Sequence, residues 1–120
     1  MTKRRHAREV PPGDSIREII QSVVADEMHV HFDKRAFGRA AFEMEFTSAG
    51  VRALIETAAA GACRLWATRT QHAPGLKGQA IYQICPQSGE FDLFIEFKIA
   101  SDQELWVFLI HEDSEKGKYR

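Results

Sequence analysis

The chain has 120 residues, 44% of them hydrophobic and 28% charged, with a formal net charge of −1 at pH 7. That is room for one domain with one core, large enough to need neither metal nor disulfide for stability. The longest nearly apolar run, LWVFLI at 105–110, is far too short to span a bilayer, and no repeat or low-complexity segment appears.

The charge is unevenly placed. Residues 1–9 hold four Lys/Arg against one Glu, and residues 114–120 hold three against one. Residues 10–113 are left with nine bases against fifteen acids, a body of net −6. Residues 1–13 read as a basic flexible arm, 14–113 as a single domain and 114–120 as a flexible tail. A body of that sign repels phosphates and suits a basic protein partner. Nucleic acid is expected only through the arm, at Lys3, Arg4, Arg5 and Arg8. The N-terminus lacks the apolar stretch and cleavage site of a signal peptide, and Cys63 and Cys85 read as reduced thiols. A cytoplasmic protein is the expectation.

In chain order, PPGDSIRE breaks the chain and starts a helix. Ser15 and Glu18 have capping-box spacing, and Ile16, Ile19, Ile20, Val23 and Val24 form one apolar stripe. Residues 28–32 and 40–46 alternate strictly, as two strands do. Ser48 is the expected cap of a longer helix running to about Thr68, with Val51, Leu54, Ile55, Ala58, Ala62, Leu65 and Trp66 at helical spacing. QHAPGLKG is a breaker-rich loop. Strands follow at about 79–85, 90–99 and 104–112, giving the order α-β-β-α-β-β-β. The last strand is apolar on both faces, which places it in the middle of a sheet.

The expected fold is α+β: a five-stranded antiparallel sheet in the order 2-1-5-4-3, with the long helix packed on one face. That order resembles the profilin-like group, which includes PAS and Roadblock domains. The resemblance is one of topology and carries no function with it.

A hairpin centred near Phe37 pairs residues whose numbers sum to 74. Met28, Val30 and Phe32 then face Phe46, Met44 and Phe42, while His29 meets Glu45 and His31 meets Glu43 on the other side. Imidazoles and carboxylates on adjacent strands suit zinc, so His29, His31, Glu43 and Glu45 form a candidate metal set. Cross-strand pairing on a solvated face is the plainer reading. By parity His111 shares the core side with Leu105, Val107 and Leu109, while Glu112 and Asp33 share the histidine side.

Other chemistry is thinly represented. Glu96-Phe-Lys98 with Asp92 upstream has the acidic-x-lysine spacing of metal-dependent nucleases, which strand alternation also generates. APGLKG lacks the full phosphate-loop spacing, and no GxSxG, HExxH or CxxC occurs. No catalytic residue is assigned.

The second sheet face is more informative. Trp106, Phe108, Ile110 and Phe94 form an apolar centre there, flanked by His29, His31, Glu43, Glu45, Asp92, Glu96 and Glu112. Covered by the first helix, it is ordinary core; uncovered, it has the make-up of a binding surface. The expectation is a small non-catalytic interaction module: an inhibitor, immunity or regulatory factor. It would bind a basic partner surface, or a second copy of itself, through Trp106, Phe108, Phe94, Glu43, Glu45 and Glu96. The alternative is a metal- or small-ligand-binding domain, or an enzyme, centred on His29 and His31. No cofactor is expected beyond the zinc that this alternative would take.

Overall fold

The computed structural model describes residues 8–35, 37–38, 46–69, 80–89, 91–100 and 103–112. Its strands are β1 (Arg8–Glu9), β2 (Val30–Phe32), β3 (Leu65–Arg69), β4 (Ala80–Ile84), β5 (Gln87–Ser88), β6 (Phe91–Ile99) and β7 (Leu105–Glu112). The helices are α1 (Ser15–Val24) and α2 (Ser48–Ala59), and a 3-10 turn spans Glu27–His29. The class is α+β.

Both helices begin one residue earlier than the spacing predicts. Asp14 caps α1 by accepting the Ile16 N–H at 2.9 Å, and Thr47 caps α2 by accepting the Gly50 N–H at 3.0 Å. The expected long helix to Thr68 is corrected: α2 ends at Ala59, and Leu65–Arg69 is strand β3. Gly61 adopts φ 106°, a conformation that ends a helix at little strain only in glycine. Leu65 and Trp66 fit a helical period, but a five-residue segment that opens on two apolar side chains fits a strand equally well.

Six strands lie side by side in the order β1-β3-β4-β6-β7-β2, and the short β5 pairs with β6. The sheet is mixed, because β2 runs parallel to β7 while the other pairs are antiparallel. This corrects the strand count and the all-antiparallel direction of the expected five-stranded sheet of order 2-1-5-4-3. Its 1-5-4-3 part is kept as β2-β7-β6-β4, and most of its second strand lies outside the described residues. Alternation locates a strand but says nothing of its direction, and a long connection permits either one. Residues 8–10, assigned from sequence to a flexible arm, belong to the fold. Arg8 pairs with Ala67 and Glu9 with Trp66, and Val10 is buried in the core. Residues 1–7 and 113–120 lie outside the described residues.

So do residues 39–45, and with them Glu43, Glu45 and most of the expected second strand. The hairpin centred on Phe37 is corrected all the same. Asp33 accepts the Arg35 N–H on its side chain at 3.0 Å and the Phe37 N–H on its carbonyl at 2.9 Å, and the chain is helical at 34–35 and 37–38. An Asp immediately after a strand acts here as a helix cap.

Both helices pack on one face of the sheet. Ile20, Val23 and Val24 of α1 join Val51, Ile55 and Ala58 of α2 over Leu65, Ile84, Leu93, Ile95, Phe97, Leu105 and Val107. Burying each large side chain stabilises the fold by about 1.5–3 kcal/mol. A β-bulge breaks β7: Phe97 pairs with Val107 but Glu96 pairs with Leu109, leaving Phe108 as the extra residue. The bulge reverses the parity of everything after it. Ile110, placed from sequence on the second face, is 1% exposed in the core. His111, placed on the core side, lies against Phe94 with ring centroids 5.2 Å apart on the second face. Glu112 exchanges sides in the same way. Among the described residues, no helix is long and apolar enough to cross a membrane.

Candidate functional site

The parallel pairing of β2 with β7 builds the site. Val30, His31 and Phe32 stand opposite Leu105, Trp106 and Val107. Val30 and Phe32 join the core with Leu105 and Val107, so His31 and Trp106 project from the second face. The imidazole stacks on the indole, with centroids 4.4 Å apart and planes 23° from parallel. One step back in the same register, His29 stands opposite Glu104.

Glu104 accepts from both histidines. One carboxylate oxygen takes His31 Nε2 at 2.6 Å and the other takes His29 Nδ1. His29 Nε2 turns towards Asp26 Oδ2 at 3.6 Å. The hydrogen bond from His31, then that from His29, holds the Glu104 carboxyl below the usual carboxylate range. Local structure aims these groups. Asp26 accepts the Met28 N–H at 2.9 Å and so sets the 3-10 turn that presents His29. Gln103 at φ 63° turns the chain between β6 and β7, and the Ala100 N–H donates to the Glu104 carbonyl at 2.8 Å.

Of the residues singled out from sequence, the structure brings together His29, His31 and Trp106. Trp106 is 41% exposed and pairs across the ladder with Lys98. Phe108 is half-buried at the bulge, and Phe94 is buried beside His111. Glu96 is half-buried and accepts from Gln83 Nε2 at 2.7 Å. Sequence reasoning missed Glu104, although it placed residues 28–32 beside 104–112. An antiparallel pairing carries the histidines towards Glu112, whereas a parallel one carries them to Glu104. Direction alone separates the two.

The arrangement is a carboxylate gripped by two imidazoles rather than three donors aimed at one point. Among the described residues no group of three or more His, Cys, Asp and Glu side chains is set to hold a metal ion. The proposed ligands Glu43 and Glu45 lie outside those residues. Cys63 and Cys85 form no disulfide with each other, and Cys85 is buried. Burial raises the Cys63 pKa despite the nearby Arg17 guanidinium, which is the opposite of what activates a nucleophile.

No protein-family model, curated protein or solved structure matches the chain closely enough to show kinship.

Proposed function

We propose that this protein is a small non-catalytic interaction module, of the inhibitor, immunity or regulatory kind, whose second sheet face binds a basic partner surface. Trp106 carries the reading. It is a large apolar side chain exposed on a strand, held flat against His31, whose ring is in turn held by Glu104. A tryptophan fixed before binding loses little rotamer freedom on docking, which is what an interface anchor requires. The acidic body, net −6 over residues 10–113, supplies long-range attraction to a basic surface. Phe108, half-buried at the bulge, and Phe94, beside His111, are the further aromatic residues of the proposed face, and Glu43, Glu45 and Glu96 are its proposed acidic rim. Self-association through the same face is the homotypic version of this reading.

The test is calorimetric titration of the partner isolated on the wild-type chain. Trp106→Ala should weaken binding by on the order of 2 kcal/mol, about 30-fold. Charge reversal at Glu43, Glu45 and Glu96 should slow association and flatten its salt dependence. Unchanged binding in both variants removes the proposed interface.

A second reading, a metal- or small-ligand site centred on His29 and His31, draws support from Glu104, which adds a carboxylate to both imidazoles. It requires the carboxylate to rotate until all three side chains face one point. Stoichiometric zinc in the untagged protein, lost in the double variant His29→Ala, His31→Ala, would establish it over the first. No bound zinc after incubation would dismiss it.

A further inference from the structure

The opposite end of the sheet carries a different kind of site. Where β1 meets β3 beyond the C-terminus of α2, a solvent-open cleft of about 260 Å³ is lined by Glu9, Arg17, Gly61, Cys63 and Arg64, among others. That is a little below the roughly 300–1,000 Å³ of sites for drug-sized molecules.

Arg17 is the unusual member. It is 3% exposed, yet among the described residues every hydrogen-bond partner of its guanidinium is a neutral backbone carbonyl. Nη1 donates to Ala58 at 2.8 Å and Ala59 at 3.4 Å, Nη2 to Val10 at 2.9 Å, and Nε to Pro11 at 3.1 Å. A guanidinium has five N–H groups, so one on Nη2 has no protein acceptor among the described residues. The carbonyls at the end of α2 offset part of the charge through the helix dipole, but among the described residues no carboxylate pairs with it there. A buried cation without a full counter-charge is costly and attracts an anion. Arg64 adds a second guanidinium. Its Nε lies 3.6 Å from Glu9 Oε2, too long for a hydrogen bond, and both side chains are about half-exposed. Two arginines against one glutamate leave the lining at net +1.

We propose that this cleft binds a small oxyanion, a phosphate or carboxylate group, between Arg17 and Arg64, with Glu9 as a competing internal anion. Guanidinium groups match such oxygens in pairs, and Gly61 and Ala62 leave the cleft floor free of bulk. The site is independent of the Trp106 face, since it lies at the other end of the strand order.

The experiment is an amide-resolved NMR titration of the full chain with inorganic phosphate, and separately with acetate, at constant ionic strength. Saturable shifts at residues 61–64 with a Kd of about 1 mM or tighter are expected. The decisive readout is a pair of opposite changes. Arg64→Gln should weaken binding about tenfold, and Glu9→Gln should tighten it by removing the competitor. Both substituted side chains are exposed, so the variants are expected to keep the wild-type spectrum elsewhere. The anion that saturates at the lower concentration identifies the class. Linear shifts with both anions, or equal affinity in both variants, would overturn the proposal.

Discussion

Glu104 holds two imidazoles at once, and its ionisation is therefore tied to the placement of β2. Its folded-state pKa is depressed, chiefly by the hydrogen bond from His31 and next by that from His29. A group shifted downwards contributes stability that is fully present above its unfolded pKa and lost as pH falls through the folded one. The urea midpoint of the wild type should exceed that of Glu104→Gln at neutral pH. The gap should close as the solution is taken below the ordinary carboxyl range. A gap that persists unchanged down to pH about 3 would show that the carboxylate charge takes no part. Trp106 depends on the same clamp, because the ring it rests on is the one Glu104 orients. The aromatic and the histidines were legible as neighbours from residue parity. Their shared carboxylate was not, because parity is blind to strand direction.

At the scale of elements, the two helices cap one another. Arg17 near the start of α1 donates to Ala58 and Ala59 at the end of α2, and Arg52 near the start of α2 donates to Val24 and Ala25 at the end of α1. The last carbonyls of a helix have no partner within it and carry the negative end of its dipole, so a guanidinium satisfies them on both counts. Two antiparallel helices of 10 and 12 residues are thereby locked in register over one sheet face. No spacing rule announces this, since each arginine reads in sequence as an ordinary polar position on an amphipathic helix. The bulge in β7 is equally silent. With apolar residues at every position from Leu105 to Ile110, no break in the pattern marks the extra residue, and only the pairing with β6 reveals it.

For the whole molecule, Arg17 is the residue that joins layers. Its hydrogen bonds to Val10 and Pro11 tie β1 and the following turn to the helices, while those to Ala58 and Ala59 tie α1 to α2. Arg17→Leu should destabilise the protein by on the order of 3 kcal/mol, since several charge-assisted bonds go and buried carbonyls lose their donors. Against a total of roughly 5–15 kcal/mol that is a large share. Chemical denaturation measures the loss. Hydrogen exchange localises it, because the Val10 amide, 2.6 Å from the Leu65 carbonyl, should lose protection first. A variant with wild-type stability and exchange would mean that β1 is held by its pairing with β3 alone.

The amino-acid sequence by itself determined the α+β class, the apolar stripes of α1 and α2, and the outward placement of His31 and Trp106. These follow from periodicity, which is a local property of the chain. Only the tertiary structure decided that β2 runs parallel to β7, that Phe108 reverses the parity of the last strand, and that Leu65–Arg69 leaves the helix to become β3. It alone brought Glu104 to the histidines and set Arg17 behind α2. Each of these depends on contacts between residues tens of positions apart, where a short segment satisfies more than one pattern and the partner across the fold selects between them.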